Sequence, residues 1–116
     1  MAELSYIIVE DEAEFALLLR KYLEKIPDTK HLGTFGGTTD AVLNIERLRP
    51  DVLFLDINIS GLEGPEFIDL LEYQPRVIVV SGHAEEVMQN YDIEFVDFIQ
   101  KPPTLDRLKE ALAKCR

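Results

Sequence analysis

The 116-residue chain is long enough for one folded domain, and its composition, 47% hydrophobic and 29% charged, is that of an ordinary globular protein. Its formal net charge of −10 argues against a nucleic-acid surface, because contacts to phosphates need clustered lysine and arginine. Cys115 is the only cysteine, which excludes an intrachain disulfide and suits the reducing cytoplasm. No segment typical of export or membrane insertion is expected.

Short apolar runs alternate along the chain with longer segments of helical period. In chain order the predicted elements are a strand at residues 6–9, a helix over 15–26, a strand at 31–35, a helix over 41–48, a strand at 52–55, a helix from about 65 to 71, a strand at 77–80, a helix over 84–91, a strand at 95–100 and a helix from 104 onward. This order predicts a parallel sheet covered by helices on both faces.

The first helix has the clearest pattern, with one apolar stripe formed by Phe15, Leu18, Leu19, Tyr22, Leu23 and Ile26. Pro27 is expected to end it, and Thr104 is expected to cap the last helix. The helix at residues 84–91 has a weaker stripe. No internal repeat or change of composition marks a linker, so residues 1–116 are predicted to form a single domain.

The predicted fold class is α/β, a flavodoxin-like doubly wound sheet of five parallel strands in the order 2-1-3-4-5. Three of the strand segments, residues 6–9, 52–55 and 77–80, are continuous apolar runs, as expected of strands that are buried on both faces. These three segments are therefore expected to lie in the centre of the sheet.

Polar residues follow the predicted strands at their carboxyl ends. Glu10 and Asp11 follow the first strand, Asp56 the third, Ser81 the fourth and Lys101 the fifth. Loops at this edge of a parallel sheet form the ligand crevice, and strands 1 and 3 are neighbours in the predicted order. The three carboxylates are therefore expected to converge.

Converging carboxylates raise one another's pKa unless a positive partner lies among them. The available ligands are oxygen atoms, which favour a hard cation, and Mg²⁺ needs only a few carboxylates and a phosphate oxygen. Lys101 would add a compact positive charge and Ser81 a hydroxyl donor. A nucleophilic carboxylate, a divalent ion, a lysine and a hydroxyl are the groups that stabilise a phosphoryl group in transfer.

Each of these residues also has a simpler explanation. Asp11 and Glu12 could favour the dipole of the following helix, and Asp56 and Ser81 could be ordinary turn residues. Lys101 could be a solvated loop lysine. Their joint position at one edge of the sheet favours the functional interpretation.

The sequence resembles the response-regulator receiver family over essentially its whole length. The matching stretches are residues 7–12, 55–64, 79–83 and 97–102. The resemblance implies that Asp56 is phosphorylated, that Glu10, Asp11, Asp56 and the backbone carbonyl of Asn58 bind Mg²⁺, that Ser81 and Lys101 hold the phosphoryl group, and that Phe98 is an aromatic switch.

The resemblance also implies partners and an output. A sensor histidine kinase or phosphotransfer protein would donate the phosphoryl group, and the domain would support its own phosphorylation and dephosphorylation without being a turnover enzyme. Phosphorylation would remodel a face made by the fourth helix, fifth strand and fifth helix, which is a possible homodimer interface. The tract around residues 91–105 resembles the LytTR class of transcription regulators, although no DNA-binding output domain is expected in this chain.

Several positions depart from the commoner family pattern. Glu10 stands where Asp is commoner, Ser60 where many members have Pro, Ser81 where Thr is commoner and Gly82 where Ala is common. Each change keeps the functional group that the chemistry needs, so we expect a competent phosphoacceptor.

Two alternatives remain at this point. A phosphatase of the haloacid dehalogenase type also uses an aspartate at a strand end, but Asn58 would occupy the position of its general acid and could not donate a proton. The second alternative is a pseudo-receiver that binds partners without phosphorylation, against which the intact acids and lysine argue.

Overall fold

The computed structural model describes residues 3–56, 68–82 and 94–116. Five parallel strands form one sheet: β1 (Leu4–Val9), β2 (Thr29–Phe35), β3 (Val52–Leu55), β4 (Arg76–Ser81) and β5 (Asp97–Gln100). Their order is β2-β1-β3-β4-β5. The predicted fold class and strand order are therefore confirmed.

The three central strands are buried on both faces, and successive residues point to opposite sides. Tyr6 and Ile8 of β1 belong to one apolar cluster, whereas Ile7 and Val9 belong to the cluster on the other face. Fully burying an aliphatic side chain such as Ile7, Ile8 or Val9 contributes about 1.5 to 3 kcal/mol relative to exposure. This explains why the central strands are continuous apolar runs in the sequence.

Three α-helices are described: α1 (Ala13–Glu24), α2 (Thr38–Leu48) and α3 (Leu105–Ala113). Helices α1 and α3 contribute to the cluster that contains Tyr6, whereas α2 contributes Ala41 and Ile45 to the other. Helices therefore cover both faces of the sheet, as predicted. The side chain of Thr104 accepts a hydrogen bond from the Arg107 backbone N–H, which confirms the predicted cap of the last helix.

Strand β3 has its predicted bounds, whereas the other four strands differ by one or two residues. Strand β1 begins at Leu4 rather than residue 6, and β4 spans Arg76–Ser81 rather than 77–80. Strand β2 begins at Thr29, two residues before the predicted start, because this edge strand is only half-buried and its apolar pattern is weak. Strand β5 begins at Asp97 rather than residue 95, and Phe95 before it is an exposed apolar residue. The predicted helix at 84–91 lies outside the described residues, as does the start of the one predicted from residue 65.

Candidate functional site

Backbone hydrogen bonds continue beyond the ends of the strands and fix the residues that follow them. The Glu10 N–H donates to the carbonyl of Phe35 at 2.9 Å, and the Asp56 N–H donates to the carbonyl of Val9 at 2.9 Å. These bonds hold Glu10 and Asp56 side by side at the carboxyl edge of the sheet. The Lys101 N–H likewise donates to the carbonyl of Ser81 at 2.9 Å, which fixes the lysine backbone at the same edge.

The Lys101 side chain reaches from the end of β5 to the acidic residues that follow β1 and β3. Its Nζ lies 2.5 Å from Glu10 Oε1, 3.4 Å from Asp56 Oδ2 and 3.9 Å from Glu12 Oε1. The side chains of Glu10, Asp56 and Lys101 are 5%, 3% and 9% exposed, whereas that of Glu12 is 60% exposed. Lys101 therefore joins two buried carboxylates, and bulk water screens little of that interaction.

The charges in this cluster shift one another's pKa. Burial and the neighbouring Asp56 carboxylate raise the pKa of Glu10 to about 8, against the opposing effect of Lys101. Burial disfavours the charged form of Lys101, but the Glu10 and Asp56 carboxylates outweigh it and raise the pKa of the ammonium. Lys101 therefore stays positive, and the excess of acidic groups leaves the cluster in need of further positive charge.

Four acidic side chains are close enough to share one cation. Carboxylate oxygens of Glu10, Asp11, Glu12 and Asp56 all lie within 4.8 Å of one another. Asp11 and Glu12 are exposed at the mouth of the site, and the Glu12 backbone N–H donates to Glu10 Oε2 at 3.3 Å. An all-oxygen ligand set that is partly open to solvent fits a hydrated hard cation such as Mg²⁺.

The structure describes two of the remaining predicted site residues, Ser81 and Phe98. Ser81 is buried at the carboxyl end of β4, which pairs with β3, the strand that precedes Asp56. Phe98 is half-buried in β5, where its ring contacts Phe95 edge-on at 6.2 Å between centroids. Asn58, the predicted carbonyl ligand, lies outside the described residues.

An ion cluster beside Phe98 was not predicted from the sequence. The buried Asp97 carboxylate accepts two hydrogen bonds of 2.7 Å from the Arg107 guanidinium and one of 3.0 Å from Lys114 Nζ. Arg107 also donates to the carbonyl of Phe98 at 2.8 Å, and the Phe98 N–H donates to Asp97 Oδ1 at 2.9 Å. This cluster attaches the backbone of β5 at Phe98 to helix α3.

Sequence reasoning also missed two contacts of Lys101. Glu12 was considered only for the helix dipole, although it directly follows the acidic pair and lies within ion-pair distance of the ammonium. Phe15 was assigned to the apolar stripe of α1, yet its ring lies against Lys101, with 4.3 Å from Nζ to the ring centroid. The helical period gave no signal for a contact with a lysine 86 positions further along the chain.

None of the helices in the described ranges has the length and apolar character needed to cross a membrane.

Comparison with known protein families gives a match to the response regulator receiver domain over residues 6–113. Among curated proteins, the transcriptional regulatory protein BtsR of Escherichia coli K12 is 30% identical over 112 residues, which cover 95% of this chain and 47% of BtsR. The sensory transduction protein LytT of Bacillus cereus is 26% identical over 114 residues, covering 96% of this chain and 46% of LytT. The chain thus spans about half the length of these relatives.

Solved structures give the same result. The signal receiver domain of a modulated diguanylate cyclase from Desulfovibrio desulfuricans G20 is 26% identical with a TM-score of 0.86, over 97% of this chain and 93% of that one. The response regulator domain of CheB from Thermotoga maritima is 29% identical with a TM-score of 0.79, over 98% of this chain and 94% of that one. The chain therefore belongs to the response regulator receiver domain family.

Proposed function

We propose that this receiver domain accepts a phosphoryl group on Asp56 from the phosphohistidine of a sensor histidine kinase or phosphotransfer protein. The observation that carries the proposal is the position of the buried Asp56 carboxylate, 3.4 Å from the Lys101 ammonium and within 4.8 Å of three other acidic side chains. A carboxylate acceptor and a nearby cation are two of the groups that phosphoryl transfer requires.

In the transfer, an oxygen of the Asp56 carboxylate attacks phosphorus and forms a P–O bond. The P–N bond to the donor imidazole breaks, and the imidazole leaves with the electron pair of that bond and takes up a proton. The product is an acyl phosphate, which water later hydrolyses to regenerate the carboxylate. Lys101 Nζ lies close enough to pair with a phosphoryl oxygen on Asp56, and Ser81 would donate a hydrogen bond to another.

Glu10, Asp11 and Asp56 would hold Mg²⁺ together with the backbone carbonyl of Asn58. When bound, this ion supplies the positive charge that offsets repulsion between the carboxylates and the incoming phosphoryl oxygens. The proximity of the acidic side chains and the raised pKa of Glu10, near 8, support a cation at this position.

Phe98 would transmit phosphorylation to the surface that binds partners. Its backbone is joined to helix α3 through Arg107, so a movement of β5 at Phe98 would reach that helix. A homodimer formed through the predicted fourth helix, β5 and α3 would be one output. Because BtsR is a transcriptional regulatory protein, we also propose that this receiver works in the cytoplasm as part of a transcription regulator.

The test is phosphorylation by a small donor. The protein incubated with Mg²⁺ and acetyl phosphate should gain the mass of one phosphoryl group, and Asp56→Asn should not. Asp106→Asn, which changes an exposed aspartate in the first turn of α3, is the matched control and should be phosphorylated like the parent. No mass gain in the parent would overturn the proposal in favour of a pseudo-receiver. Sustained turnover of phosphomonoesters that depends on Asp56 would favour a phosphatase.

A further inference from the structure

The Lys101 ammonium must be held beside Asp56 although its side chain is long and flexible. A lysine ammonium is a compact charge on a flexible four-carbon stem, with three rotatable donors. Its ion pairs with Glu10 and Asp56 are both made by the ammonium at the end of this stem. The exposed Glu12 carboxylate, 3.9 Å away, also attracts the ammonium. A further contact with the ammonium would limit its movement among these three carboxylates.

Phe15 provides such a contact. Its ring centroid lies 4.3 Å from Lys101 Nζ, within the distance at which the negative face of an aromatic ring attracts an ammonium. The ring is half-buried, and among the described residues neither apolar cluster of the sheet faces includes it. Phe15 is therefore placed to contact the lysine, whereas Tyr22, further along the same helix, packs against the core.

The position of Phe15 in the chain connects this contact to the acidic residues. Phe15 lies in the first turn of α1, four residues after Asp11. The beginning of one helix therefore carries both an acid of the cluster and the ring that contacts the lysine. An aromatic ring also excludes water from one side of the ammonium, which strengthens the attraction of Lys101 to nearby oxygen atoms.

We infer that Phe15 is a positioning residue, which holds the Lys101 ammonium beside Asp56 for phosphoryl transfer; this inference rests on the proposed function. The aromatic face is the property that matters, because a leucine would fill similar space without attracting the cation. Phe15 acts only through Lys101 and does not touch the reacting atoms.

The first experiment measures the rate constant of phosphorylation by acetyl phosphate with Mg²⁺. A small donor is used so that loss of a docking contact with a kinase cannot affect the rate. Phe15→Leu should lower the rate constant about three- to tenfold, the range expected for losing a partly desolvated cation–π contact. Phe15→Tyr keeps the ring and should stay within about twofold of the parent. Tyr22→Leu, an aromatic-to-leucine change in the same helix, is the matched control and should also stay within about twofold.

A second measurement reports on the contact itself without phosphorylation. Protons of the Lys101 ε-methylene that lie against the ring should resonate upfield of ordinary lysine values in the parent and in Phe15→Tyr. This shift should disappear in Phe15→Leu. The effects of Phe15→Leu and Lys101→Met on urea unfolding should also be non-additive, as expected for residues in direct contact.

The outcomes separate this inference from the function on which it rests. If Phe15→Leu folds and is phosphorylated at the parental rate, or if Phe15→Tyr is as slow as Phe15→Leu, the positioning role is wrong. If the parent itself is not phosphorylated, the proposed function fails, and with it the role of Phe15 in transfer. The upfield shift of Lys101 would then decide only whether the ring holds the lysine.

Discussion

The Lys101 ammonium lies nearer to Glu10, at 2.5 Å, than to Asp56, at 3.4 Å. It therefore partly neutralises two buried carboxylates that would otherwise repel each other across the ends of β1 and β3. The same ammonium is within reach of a phosphoryl group on Asp56. Lys101 thus stabilises the unphosphorylated site and is available to pair with the phosphoryl group that we propose.

Removing the lysine should destabilise the metal-free protein. Lys101→Met leaves Glu10 and Asp56 buried without their cation, and losing one member of a buried ion cluster costs about 3 kcal/mol of unfolding free energy. Urea unfolding in EDTA, at a pH above the raised pKa of Glu10 so that both acids are ionised in the parent, measures the loss. Lys109→Met, which changes an exposed lysine of α3, should stay within about 0.5 kcal/mol of the parent.

Glu10→Gln provides a second control for this prediction. Combined with Lys101→Met, it removes one of the two buried carboxylates. The double variant should therefore recover part of the unfolding free energy that Lys101→Met loses. If Lys101→Met and Lys109→Met lose stability equally, Lys101 does not neutralise the buried acids.

Magnesium should stabilise the protein through Asp11. A ligand that binds only the folded state adds about 2.7 kcal/mol when its free concentration exceeds its dissociation constant by roughly 100-fold. Thermal unfolding with Mg²⁺ and with EDTA should therefore differ clearly in the parent and little in Asp11→Asn. In EDTA, Asp11→Asn should be at least as stable as the parent, because it removes one charge from a cluster of like charges. Asp106→Asn should respond to Mg²⁺ like the parent, and an equal response in Asp11→Asn would count against a cation at that carboxylate.

The ion cluster at Asp97 should make stability depend on acidic pH. Its hydrogen bonds with Arg107 outweigh burial and, with Lys114, lower the pKa of Asp97 from 3.8 to about 2. A carboxyl group whose pKa is lower in the folded state stabilises the fold above its unfolded pKa and loses that effect as the pH falls through the folded value. Asp97→Asn should therefore cost about 2 kcal/mol above pH ~4, and the cost should shrink between pH ~4 and ~2.

Urea unfolding across that pH range measures this effect. Arg107→Gln should abolish most of the same pH dependence, because Arg107 is the main cause of the lowered pKa of Asp97. A difference between the parent and Asp97→Asn that does not change over the range would show that the carboxylate is not stabilised by these cations.

The sequence predicted best those features that local pattern determines. Strand β3 was predicted at its observed bounds, residues 52–55, because a run buried on both faces is continuously apolar. The carboxyl-edge position of Glu10 and Asp56 followed from strand order, since parallel strands end at one edge. Topology alone could therefore bring acids from distant parts of the chain together.

Contacts that depend on three-dimensional side-chain geometry could not be predicted in this way. The helical period assigned Phe15 to a face of α1 but did not reveal that Lys101 covers the ring. Asp97 and Arg107 are ten residues apart, on a strand and a helix, a spacing that has no local signature. Periodicity indicates which face of an element is covered, whereas the partner on that face depends on how the elements pack.

Phe98 should affect the response to phosphorylation more than phosphorylation itself. Its half-buried ring packs beside Phe95, whereas the acidic cluster lies around Lys101, so Phe98→Ala should accept phosphate from acetyl phosphate at a rate near that of the parent. Without the ring, a movement at Asp56 would be poorly transmitted to β5 and, through Arg107, to α3. Beryllofluoride should therefore cause smaller amide chemical-shift changes over residues 105–113 in Phe98→Ala than in the parent. Tyr22→Leu should keep the parental changes, and changes in Phe98→Ala as large as those of the parent would exclude Phe98 as the switch.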